Sequence, residues 1–122
     1  MAFDETLADR IREGLALRRD VREVKMMGGL CFMVGGHMAI GIVGDELMVR
    51  VGPGGYERAL ARAHAREMDF TGRPTKGFVF VDPAGTRTRR SLESWVALGT
   101  AFASRLPEKP AKPGRARSNI RS

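Results

Sequence analysis

Cysteine occurs once in this chain and histidine twice, and these scarcities exclude several kinds of chemistry at the outset. With Cys31 alone, no disulfide can close within the chain and no cysteine-based zinc site can form. His37 and His64 are far apart in sequence, and neither has an Asp/Glu pair at ligand spacing beside it, so no metal site is expected. Nucleophilic catalysis would need an activated Ser or Cys within reach of one of these two imidazoles. No acid, base or nucleophile can be nominated, and the chain is expected to be neither an enzyme nor a cofactor carrier, with no small molecule identified. The first ten residues, MAFDETLADR, hold two Asp and a Glu where an export signal would place basic residues and then an apolar block. A reducing cytoplasm is the expected location.

Formal charge is also missing from a long internal stretch, the residues between Lys25 and Asp45. An uncharged run of this length raises the question of a transmembrane helix, which needs roughly 20 apolar residues. Six of the residues from Met26 to Gly44 are glycine, and Gly-Gly or Gly-Asp pairs fall at 28–29, 35–36 and 44–45. Such pairs supply the positive φ that tight hairpin turns demand, and the segments between them carry β-branched and aromatic residues. The pattern predicts an antiparallel meander over Val21–Met27, Leu30–Val34, His37–Val43 and Glu46–Val51, and no membrane span.

The rest of the chain supplies helices and a last strand. Asp4 or Thr6 caps a first helix whose stripe is Leu7, Ile11 and Leu15. A Gly-Pro-Gly-Gly turn at 52–55 leads to a second helix over Tyr56–Arg66; it lacks the Lys-Ser/Thr pair of a phosphate-binding loop and reads as an ordinary turn. Residues 68–76 read as a loop or short edge strand, and Gly77–Val81 as a strand closed by the turn Asp82-Pro83-Ala84-Gly85. The last helix starts near Ser91 and sets Leu92, Trp95, Val96, Gly99, Phe102, Ala103 and Leu106 on one face, with Trp95 as a core anchor. Residues 1–106 form one domain, and 107–122, rich in Pro, Gly and basic residues, read as a disordered basic tail. The fold class is α+β: two layers, an antiparallel meander with helices packed on one face.

Three groups of residues are candidates for function. Alternation gives one sheet face Leu30, Phe32, Val34, Met38, Ile40, Ile42, Leu47, Val49 and Val51, a core. The other face receives Cys31, Met33, Ala39, Gly41, Val43 and Met48, which is also apolar where a half-exposed sheet should be polar. Either the second helix covers it or another chain does, so Cys31, Met33, Ala39, Val43 and Met48 are the candidate surface for a protein partner or a homodimer. On this register Cys31 lies opposite Ile40, and His37 points to the other face, so the two form no dyad. Lys25, Arg73 and Lys76 flank strands and are candidates for contact with an anion. The net charge of +7 and the spacing of Arg58, Arg62 and Arg66 along one helix face give an alternative, a nucleic-acid-associated protein that uses this stripe and the basic tail.

The run Lys25-Met26-Met27-Gly28-Gly29, the hairpins after it, the segment Gly72-Arg73-Pro74-Thr75-Lys76-Gly77-Phe78-Val79-Phe80-Val81 and the pair Leu92 and Trp95 together resemble the N-terminal domain of the TfoX/Sxy family over about residues 6–106. Met27 stands where that family has an aromatic residue. The resemblance implies helices packed on an antiparallel sheet and a regulatory role, since the best-known members regulate competence gene expression. Longer members carry a second, helical domain to which nothing in these 122 residues corresponds. The resemblance and the apolar second face together point to a small regulatory module acting by protein contact.

Overall fold

The computed structural model describes residues 3–26, 28–68 and 76–107. Helix α1 spans Glu5–Gly14, and its N-cap is Asp4, whose carboxylate accepts from the N–H groups of Thr6 and Leu7 at 2.9 and 3.1 Å. That satisfies two of the donors a helix start leaves free. Leu7, Ala8 and Ile11 are buried, as is Leu15 just past the helix.

Four strands follow in the uncharged stretch: β1 Val21–Met26, β2 Gly29–Val34, β3 His37–Val43 and β4 Glu46–Arg50. Gly28, Gly35, Gly36 and Gly44 all have positive φ at the turns, the conformation that only glycine adopts without strain. After β4 a single 3-10 turn at Pro53–Gly55 feeds helix α2, Tyr56–Leu60, then strand β5, Ala65–Glu67. Strand β6, Phe78–Val81, another 3-10 turn and helix α3, Arg89–Ser104, follow. All strands join one antiparallel sheet in the order β1-β2-β3-β4-β6-β5. Among the described residues no helix is long and apolar enough to cross a membrane.

The three helices lie on one face of this sheet. Their apolar residues, Leu7 and Ile11 from α1, Tyr56 and Ala59 from α2, Leu92, Trp95 and Val96 from α3, share a single core with Phe32, Ile40, Ile42, Leu47, Val49 and Val79. Trp95 is 1% exposed, the anchor its place in the helix stripe suggested. Thr88 caps α3 by accepting from the Ser91 N–H, and the helix begins at Arg89, two residues earlier than expected. Arg12 of α1 holds Glu23 of β1 with two hydrogen bonds, at 2.7 and 2.8 Å, and this contact keeps the Glu23 carboxyl below the usual carboxylate range. The supposed tail lies almost wholly in residues 108–122, outside the described residues.

Two sequence-based expectations are corrected here. The register between β2 and β3 shifts by one residue: Phe32 pairs with Ile40, but Met33 pairs with Met38, which leaves Ala39 as a bulge. Cys31 therefore lies opposite Gly41 and not Ile40. A bulge reverses which face later residues take. Ala39 sits in the helix-side core, and Met38 joins the other face. The second helix is also half its expected length. It stops at Leu60, and the chain reverses at His64, the one described non-glycine residue with positive φ, at 71°. The His64 carbonyl accepts from the Asp82 N–H at 2.9 Å, and this bond starts the pairing of β5 with β6.

Candidate functional site

Helix α2 belongs to the helix-side core, so it does not cover the second face of the sheet. That face carries a separate apolar cluster, with Cys31, Met48, Met68 and Phe80 buried and Met33, Met38, Val43 and Phe78 half-buried around them. The registers lay these residues in rows: Val24, Cys31, Gly41, Met48, Phe80 and Arg66 run across the sheet, one per strand. At the β1 end the row rises to the surface, where Val24 is 40% exposed and its neighbour Met26 38%. Of the residues nominated from sequence for this surface, Cys31, Met33, Val43 and Met48 are brought together, and Ala39 is not. Met38, Val24, Met26 and Phe78 were missed. The bulge hid the first, and the others lie on strands whose faces were not assigned.

At the far end Arg66 pairs with Glu46 and reaches Asp82 at 3.7 Å, while its guanidinium lies 4.9 Å from the Phe80 ring centroid. Cys31 is buried, and desolvation pushes its thiol pKa up, so it is not a ready nucleophile. His37 is on the helix side, where Nε2 lies 2.6 Å from the Pro107 carbonyl oxygen and donates to it. Cys31 and His37 form no dyad. Alkylation of Cys31 by iodoacetamide is expected to be slow in the native chain and fast in denaturant; equal rates in both would show the face to be open.

The candidate anion residues are not assembled. Lys25 is on β1 and Lys76 stands two residues before the start of β6, which is four strand spacings from β1, or roughly 19 Å. Arg73 lies outside the described residues. The arginine stripe is also broken, because Arg58 is in α2, Arg62 follows it and Arg66 is in β5. With Arg66 committed to Glu46, the three do not form one basic face for a duplex.

Two of them enter a different arrangement. Arg58 and Arg62 line a cleft of about 450 Å³ between α2 and α3, together with Arg105 at the end of α3. The apolar lining includes Val51, Leu98 and Phe102. Arg62 lies over the buried Trp95, 3.8 Å from the ring centroid, and partial desolvation lowers its pKa. A second cleft, about 460 Å³, runs between α1 and α3; its Arg18 and Arg89 are paired with Asp20 and Glu93. Among the described residues no three His, Cys, Asp or Glu side chains could hold a metal ion.

The fold and these surfaces define a class: a two-layer α+β domain in which the described residues form three helices on one face of a six-stranded antiparallel sheet, with an apolar opposite face. The model of the TfoX N-terminal domain matches residues 13–103, three quarters of the chain, and the chain belongs to that family. No curated protein and no solved structure matched it.

Proposed function

We propose that this domain is a cytoplasmic regulatory module, without catalysis of its own, that works by protein contact at the β1 edge of the sheet, beside the second face, and that the contact is with a second copy of the chain. The family supports a regulatory role. The observation that carries the contact is the open edge of β1. The Gly35 N–H donates to the Asp20 carbonyl at 3.0 Å, which fixes the hydrogen-bonded phase of the β1–β2 ladder. Arg22, Val24 and Met26 turn their backbone groups toward Met33, Cys31 and Gly29 of β2. Val21, Glu23 and Lys25 turn theirs outward, at an edge with no further strand among the described residues.

Only some registers let two such edges pair. With the two-fold axis at Val24, Glu23 of each copy stands opposite Lys25 of the other, and the two Val24 side chains meet at the centre. Shifting the axis to the next position in phase sets Glu23 against Glu23 or Lys25 against Lys25, which costs free energy. Charges that keep an edge from indiscriminate pairing thus also select one register. Each Glu23 would stand between Arg12 of its own chain and Lys25 of the second copy. Pairing at this register joins the two apolar faces into one surface.

In a Cys31→Ala background, Val24→Cys is expected to give a covalent dimer on mild oxidation, since opposed residues at a non-hydrogen-bonded position lie within disulfide range, ~4.5 Å between Cα atoms. Arg22→Cys, on the same face, should remain monomeric. Lys25→Pro removes an outward N–H that the monomer does not use and should abolish dimerisation while leaving the fold intact. A wild-type chain that sediments as a monomer at roughly 100 μM, a concentration at which even weak dimers are populated, would sink the proposal.

A further inference from the structure

We infer that the cleft between α2 and α3 is a binding site for small amphipathic anions, with a phosphate or carboxylate head among Arg58, Arg62 and Arg105 and an apolar body against Leu98 and Phe102. Three guanidinium groups line this cleft, and among the described residues no acidic side chain does. None of the three is in an ion pair among the described residues, although Arg12, Arg18, Arg66 and Arg89 all are. Glu93, next to the lining residue Ser94, is occupied with Arg89 at 3.4 Å. Glu57, beside Arg58, is not part of the lining.

Arg62 makes the arrangement more than a patch of surface charge. It is only partly exposed, and among the described residues it rests on the Trp95 ring without an ion pair. A cation held on an aromatic face in part-desolvated surroundings is stabilised less than one paired with an anion, and an arriving phosphate or carboxylate would add charge-assisted hydrogen bonds. The flat fork of a guanidinium matches both heads, so the site distinguishes charge and shape before it distinguishes chemistry.

The apolar half of the site is equally well defined. Leu98 is 38% exposed on α3, and Phe102 is half-buried, with Arg105 6.0 Å from its ring centroid. Gly52, at a φ of 80°, leaves the room that the Phe102 ring occupies: a Cβ there would collide with it. The cleft volume of about 450 Å³ falls in the range that holds metabolite-sized ligands, ~300–1,000 Å³. A fully polar anion would leave the apolar wall unused, and a neutral apolar molecule would leave three cations unpaired.

Trp95 is the only tryptophan in the chain, so its fluorescence reports directly on the group above it. Titration with hexyl phosphate is expected to give a saturable change in Trp95 emission. Hexanol and inorganic phosphate should each bind at least about tenfold more weakly, because each lacks one half of the match. Arg62→Gln should weaken hexyl phosphate by about tenfold or more, as should Arg105→Gln, which leaves the Arg62–Trp95 contact in place. Circular dichroism would check that both variants are folded, and Arg105→Gln decides the matter if Arg62→Gln is not. No saturable response to hexyl phosphate, or equal binding by wild type and Arg105→Gln, overturns the assignment. So does retention on duplex DNA with no response to hexyl phosphate, which would make the cleft part of a polyanion surface.

Discussion

Trp95→Ala is expected to lower the melting temperature by roughly 10–20 °C and to leave a chain close to its limit of stability. Trp95 is the largest fully buried side chain and stands where α3 meets the sheet. Truncating a buried tryptophan costs about 3–5 kcal/mol from lost contacts and the cavity left behind. A domain of this size has only about 5–15 kcal/mol in total. The substitution also removes the ring beneath Arg62, so one partly desolvated cation loses its partner. Trp95→Phe should recover most of the loss. A shift of less than about 5 °C for the alanine variant in thermal circular dichroism would show that Trp95 is not the anchor of the core.

Gly99→Ala is the second large effect, and its sign is the test. In an exposed helix interior, alanine in place of glycine gains about 1 kcal/mol. At Gly99 a Cβ would stand 2.5 Å from the Ala39 carbonyl oxygen and 3.0 Å from the Ile40 side chain. The first of these is backbone and cannot move aside cheaply, so α3 would have to lift from the sheet. Overpacking of this kind costs about 1–3 kcal/mol. Gly14, at the end of α1, has no atom within 4 Å of its Cβ position, and Gly14→Ala is expected to stabilise by up to ~1 kcal/mol. Urea melts of the two variants should therefore move in opposite directions. If both rise, the close approach of α3 to β3 is wrong.

The meander was legible because its turns are written in glycine pairs; β3 falls at His37–Val43, as the sequence reading has it. The bulge was not, and the reason is local. Met38, Ala39 and Ile40 are all apolar, so alternation offers no contrast by which to place a one-residue slip. The slip lets the Ala39 carbonyl lie against Gly99, a contact between residues sixty positions apart that no window of sequence shows. Strand β5 was missed for another reason. The segment from Ala59 to Glu67 is made of Ala, Arg, His and Glu with one Leu, good helix formers for the most part, and only pairing with β6 overrides that preference.

The site divides in the same way. The apolar second face could be read because it follows from period-two alternation, and four of its five nominated residues cluster there. The basic cleft could not, because it joins the end of α3 to the end of α2, and the reversal at His64 takes Arg66 out of a series that looked continuous. No signal in the sequence marked it, because Glu57 stands next to Arg58 and Glu108 close after Arg105, and only the packing of the helices turns Arg58, Arg62 and Arg105 into one cleft.

Helix α3 follows in the chain every strand that it covers. During synthesis the meander leaves the ribosome well before Arg89–Ser104 does, and until then Phe32, Ile40, Ile42, Leu47 and Val49 have only α1 and the short α2 to shelter them. The nascent sheet is then apolar on both sides, with an unpaired edge at β1. Neighbouring strands in a meander pair early, because little loop entropy opposes them, so this two-sided species forms ahead of its cover. Its lifetime on the ribosome is the interval in which a chaperone that holds apolar strands would matter most to the yield of folded protein.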